Sequence, residues 1–200
     1  MQTIDKSIVS RIYGSGRGAV FTPTQFLDLG GRRAVDVVLH RLAKAGTIRR
    51  LTRGLYDYPK QHPTYGMMFP SPQVVAKVLA GKDSTRFQPS GAYAANLLGL
   101  SDQVPAKIVF LTDGRAKRVK IGRSEIILKR TSPRNMATAG RLSGLVIQAL
   151  RYMGKKHVDD RAISRMKNKM ADADTKSLLK DLTYAPAWIG DIMRRLAKKP

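Results

Sequence analysis

Arg33, Val37, His40, Arg41 and Lys44 recur mostly three and four residues apart, so a helix carries them all on one face. Interleaved with them, Val35, Val38, Leu39 and Leu42 follow the i, i+3, i+4, i+7 spacing of an apolar stripe. The stripe turns inward and the cations turn outward. The N-terminal end of the same helix offers Arg32, Arg33 and Asp36. A recognition helix sets such N-terminal residues against base edges in the major groove. There an Arg pairs bidentately with guanine, and an exposed Val37 touches a thymine methyl. Asp36 has a nearer use, as an intrahelical partner for His40. The alternative for the whole face is a solvated cationic surface.

Other cations stand where a backbone phosphate can be held. Arg49, Arg50 and Arg53 cluster on an expected hairpin, and Lys60 follows it. Neighbouring residues on a strand point to opposite faces, so one of Arg49 and Arg50 faces the DNA and the other does not. The tip Arg53-Gly54 is the candidate for a minor-groove or phosphate contact. Arg17 lies in the run Gly14-Ser15-Gly16-Arg17-Gly18, which follows a helix and lacks a Gly-Lys-Ser/Thr, so it is not a nucleotide loop. Arg17 remains a phosphate contact, and Thr22 joins the same DNA-binding set. Tyr56 and Tyr58 are expected to pack on the domain. A second cationic group, Arg115, Lys117, Arg118, Lys120 and Arg123, falls on a later hairpin. It offers charge to a partner, whether acidic protein or nucleic acid, or else forms a solvated face.

These residues belong to a chain of 200 residues with 37 Lys+Arg against 14 Asp+Glu, a formal net charge of +23. Such an excess attracts polyanions, which puts DNA, RNA or an anionic membrane first among partners. The mix of 42% hydrophobic and 26% charged residues is that of a folded protein. With no Cys there is no disulfide, thiolate chemistry or Cys-based metal site. His40, His62 and His157 show no metal-ligand spacing, and no serine nucleophile elbow is present. Adjacent Asp159 and Asp160 cannot share one helix face, and capping of the following helix suits them better. No enzyme activity, catalytic residue, metal or cofactor is therefore expected. Residues 1–14 lack the apolar core of a signal peptide, and no stretch reaches the ~18 apolar residues of a membrane span. The expectation is a cytoplasmic protein with no membrane partner.

The elements that must position the first group read clearly. Ile4, Ile8 and Ile12 predict a helix over 3–13. A short extended piece follows at Ala19–Phe21. Thr22-Pro23 starts a second helix reaching about Leu29, with Thr22 as N-cap. The third helix spans 32–45 and Gly46 closes it. Two strands follow, 47–51 and 54–58. This order is that of a winged helix-turn-helix. The prolines Pro59 and Pro63 mark a boundary, giving a DNA-binding domain over 1–62, a linker over 63–70 and a second domain over 71–200. In the second domain the pattern predicts helices over 72–80, 91–98, 138–153, 159–170 and 187–197. It also predicts a turn at 88–90, a buried strand at 107–111, and a hairpin joined at Gly122-Arg123. The fold class is α+β, a winged helix-turn-helix followed by a mixed α/β domain.

The runs Phe21-Thr22-Pro23-Thr24-Gln25-Phe26-Leu27, Arg33-Ala34-Val35-Asp36 and Arg41-Leu42-Ala43-Lys44-Ala45-Gly46-Thr47-Ile48-Arg49-Arg50-Leu51-Thr52-Arg53-Gly54-Leu55-Tyr56 carry a further signal. Over residues 4–65 the chain resembles the AbiE-type antitoxins, bacterial transcriptional regulators of the type IV toxin–antitoxin class. The resemblance implies a winged helix that binds inverted repeats in the operon's own promoter and represses it. It also implies a C-terminal domain that counteracts a co-expressed nucleotidyltransferase-fold toxin, without requiring that the toxin be bound directly. Two alternatives stay open on the residues alone: a winged-helix regulator with no toxin partner, and a basic protein that binds RNA non-specifically.

Overall fold

The computed structural model describes residues 3–81, 86–170 and 177–198. It is an α+β chain that divides into two compact units, Met1–Val78 with Lys120–Gly122, and Leu79–Val119 with Arg123–Pro200.

The first unit begins with α1, Ile4–Gly14. Strand β1, Val20–Phe21, leads into a 3-10 turn over Pro23–Phe26. Helix α2 covers Arg32–Lys44. Strands β2, Arg49–Thr52, and β3, Leu55–Asp57, follow, and with β1 they form a three-stranded sheet in the order β1-β3-β2. All its pairings are antiparallel, and the register shifts between Arg50 and Thr52. One core joins these pieces. Ile8 and Ile12 of α1 meet Val35, Val38 and Leu39 of α2 together with Phe21, Phe26, Ile48 and Tyr56. Each fully buried Val, Leu, Ile or Phe contributes about 1.5–3 kcal/mol. The apolar stripe expected of α2 is therefore the surface that holds the unit together, with Leu42 packed at its edge.

Two expectations change here. The segment after Thr22 is a 3-10 turn, not a helix reaching Leu29. Thr22 makes no side-chain cap, and its hydroxyl shares a hydrogen bond of 2.7 Å with Thr24 instead. The stretch read as a linker over 63–70 carries strand β5, Gly66–Met68, which pairs antiparallel with β4, Lys60–His62. Gly66 takes φ 68° at the entry to β5, a conformation that glycine adopts without a Cβ clash.

Helix α3, Pro72–Ala80, contains the division between the units. After α3 comes a four-stranded sheet in the order β6-β7-β9-β8, with β6 at Phe87–Ser90, β7 at Lys107–Thr112, β8 at Lys117–Ile121 and β9 at Ser124–Arg130. β7 and β9 run parallel, and β6 is antiparallel to β7. The residues read as a turn at 88–90 thus form a strand. Its proline is tolerated because β6 lies at the sheet edge. Helices α4, Gly91–Leu97, and α6, Leu142–Met153, carry much of the core, preceded in α6's case by the short α5, Pro133–Met136. α6 starts four residues later than the pattern predicts, because Gly140 (φ 79°) interrupts the chain between α5 and α6. Gly144 sits where any Cβ would strike the Thr138 carbonyl oxygen and the Gln88 side chain, so this close approach requires glycine. In α7, Asp160–Asn168, the Asp159 carboxylate accepts the Ala162 amide at 2.8 Å, the capping role expected of it. The last helix, α8, Ala187–Ala197, buries Ile189, Ile192, Met193 and Leu196 in this core. Its apolar face is interior. Among the described residues, no helix is long and apolar enough to cross a membrane.

Candidate nucleic-acid interface

Helix α2 turns Val35, Val38 and Leu39 into the core and leaves Arg32, Arg33, Val37, His40, Arg41 and Lys44 exposed. The outward face is the one the periodicity predicts. Its cations are not equivalent. The Arg32 Nε donates to Asp36 at 2.9 Å, one turn along the helix. Asp36 therefore pairs with Arg32 and not with His40, the opposite neighbour on the same face. The Arg41 Nη2 donates to Asp5 of α1 at 2.7 Å. Among the described residues, the Arg33, His40 and Lys44 side chains make no hydrogen bond or ion pair. Their hydrogen-bonding capacity is free for a ligand.

The ends of α1 fix the angle of this face. The Arg11 guanidinium forks onto the Asp28 carboxylate at 2.7 and 2.6 Å, and also donates to the Gln25 carbonyl at 2.8 Å. Arg11 thereby ties α1 to the turn that leads into α2. Bidentate pairs of this kind define orientation as well as attraction.

The hairpin β2–β3 sorts its arginines by face. Arg49 stands opposite Asp57 in the ladder, and Arg50 opposite Tyr56. The Arg49 side chain is 20% exposed and donates to the buried Asp57 carboxylate at 2.6 and 3.1 Å. It also donates to the Met68 carbonyl at 2.7 Å and lies 4.4 Å over the Phe69 ring. Arg49 is thus engaged within the unit through its Nε and Nη2. Arg50 and Arg53 are exposed and unpaired among the described residues, as is Lys60 on β4. Arg53 sits at the hairpin tip, where Gly54 takes φ 72° to close the turn between Thr52 and Leu55.

Two further expected contacts are bound locally. Arg17 donates to the Pro59 carbonyl at 3.1 Å and lies 4.8 Å over the Tyr58 ring. Thr22 spends its hydroxyl on Thr24. The tyrosines pack as expected: Tyr56 is buried and stacks on Phe21, and Tyr58 stacks on Tyr13 at 5.3 Å.

The second cationic group is spread along β8 and the turns beside it. Lys117 donates to the Leu79 carbonyl, and Arg118 reaches Glu125 at 3.4 Å. Arg115, Lys120 and Arg123 are exposed. At the end of β7, the Arg86 amide and Nε both donate to Asp113 at 2.9 Å. These bonds hold the Asp113 carboxyl below the usual carboxylate range. Sequence spacing did not reveal this pair, nor the buried Asp181, which accepts from Ser143 and, at 2.7 Å, from Arg141.

The fold and this face define an α+β protein with a cationic helix presented by a small helical and three-stranded unit. The chain belongs to DUF6088, a family of unknown function, whose model matches residues 7–178. No curated protein matches it. Among solved structures it is similar to the RV2827C protein from Mycobacterium tuberculosis at 18% identity and a TM-score of 0.48, covering 98% of this chain and 77% of that chain. A likeness of that size leaves function open.

Proposed function

We propose that residues 1–62 work as a winged helix-turn-helix that binds duplex DNA, with α2 as the recognition helix and β2–β3 as the wing. The observation that carries this reading is the outward face of α2, where Arg33, His40 and Lys44 stand unpaired beside a buried apolar stripe. Element order supports it, as does the placement of Arg53 at the hairpin tip. The protein's net charge of +23 supplies the non-specific attraction to phosphates.

The contact set follows from the pairing pattern. Arg33, His40 and Lys44 meet the major groove. Arg50, Arg53 and Lys60 meet the backbone. Arg32 and Arg41 neutralise Asp36 and Asp5 first and contribute less.

The biological role we propose is transcriptional autorepression by an AbiE-type antitoxin. Residues 71–200 counteract a nucleotidyltransferase-fold toxin made from the same operon. This part rests on the sequence resemblance over residues 4–65.

Binding to a labelled duplex of the gene's own upstream region, against a scrambled duplex at physiological salt, tests the DNA reading. A sequence-reading repressor prefers its site by a factor of about 10³ or more. Equal binding to both duplexes rejects it and favours a generic polyanion binder. Rescue of growth from the neighbouring toxin gene tests the antitoxin role separately.

A further inference from the structure

On the outward face of α2, Ala34 and Val37 are exposed, and Val37 keeps half of its surface open to solvent. They stand three residues apart on one side of the helix, so their side chains are neighbours. Arg33 and Arg41 lie four residues before and after Val37 and flank it. Two shallow hollows meet at Val37. One takes in Ile4, Gly31 and Ala34, the other Asp36 and His40. Of the three guanidinium groups that border these hollows, Arg32 is committed to Asp36 and Arg41 to Asp5, while Arg33 is free. What remains at the centre is a small apolar strip that can donate and accept nothing.

In the major groove such a strip has one apolar target. Only thymine presents a methyl group there, whereas every other base edge presents donors and acceptors. Valine suits the contact because its branched side chain is nearly fixed in a helix and loses little freedom on binding. The geometry points to Val37, supported by Ala34, as the residue that reads thymine through its 5-methyl group. This inference rests on the DNA-binding reading of α2 and adds the base that it selects.

The test uses the full-length protein and the upstream duplex made in two forms, with thymine or with uracil at every thymine position. The two differ only in the methyl group. A methyl buried against Val37 accounts for roughly a fourfold difference in affinity. The expected result is that the wild-type protein binds the thymine duplex about fourfold or more tightly than the uracil duplex. In Val37→Ala the ratio falls toward one. Val37→Thr keeps the branched shape and one methyl, and its ratio falls between. A wild-type ratio of one overturns the inference, and so does a Val37→Ala variant that keeps the full ratio. If the thymine duplex binds no better than a scrambled thymine duplex, the DNA-binding reading itself fails and this inference fails with it. Specific binding without a uracil penalty overturns only the thymine contact.

Discussion

Arg49 stands directly across the β2–β3 ladder from Asp57, and its guanidinium holds the Asp57 carboxylate at 2.6 Å with only 1% of that side chain exposed. The same guanidinium covers Phe69 and donates to Met68, so one side chain joins the sheet to the segment that follows β4. Removing one partner of a buried pair leaves an uncompensated charge, which costs about 3–5 kcal/mol. Arg49→Ala is therefore expected to lower stability by that order, measured by urea denaturation. Arg49→Met combined with Asp57→Leu removes both charges, and it is expected to recover most of the loss. If the double variant is as unstable as the single one, the pair matters for its packing and not for its charge.

Arg33 is free on α2, whereas Arg32 is paired with Asp36. Arg33→Ala is expected to weaken promoter binding by about 1–3 kcal/mol, the worth of one bidentate base contact, and to relax base preference at a single position. Arg32→Ala is expected to change affinity less. Titrations of a set of single-base operator variants measure both. Equal losses in the two variants would mean that the ion pair with Asp36 opens on DNA.

Arg53 is at the tip of the hairpin and has no side-chain partner among the described residues. Neutralising one phosphate steepens the log–log salt dependence by about 0.9. Arg53→Ala should flatten the slope by nearly that amount and weaken all sequences alike. An unchanged slope across a salt series would place the tip away from the backbone.

Asp113 accepts two bonds from Arg86 in the folded chain, which lowers its pKa below the ordinary 3.8. A depressed carboxylate adds stability that is fully present above its unfolded pKa and is lost as pH falls through the folded value. The Arg86–Asp113 pair is solvent-accessible, so the contribution is at most about 1 kcal/mol. Asp113→Asn is expected to lower stability slightly at pH 7 and to match the wild type in strong acid. Denaturant midpoints at both pH values measure this. A difference that persists in acid would assign it to the hydrogen bonds and not to the charge.

Much of the architecture was legible in the sequence because helix and strand periodicity are local. The spacing of Val35, Val38, Leu39 and Leu42 placed α2 and its inner face. The same spacing along the last helix placed Ile189, Ile192, Met193 and Leu196 in the core. The edge strand β6 was missed because Pro89 reads as a turn wherever its partner strand is unknown.

What the sequence by itself determined is the inventory: a basic chain, an outward cationic face on α2, and a hairpin carrying three arginines. The tertiary structure alone decided which of those cations are free. Arg41 meets Asp5 across 36 positions of chain, and Arg49 reaches Met68 across 19. No spacing rule links residues so far apart. An ion pair forms where folding brings two charges within a few ångströms, and packing of α1 on α2 settles that distance for Arg41 and Asp5.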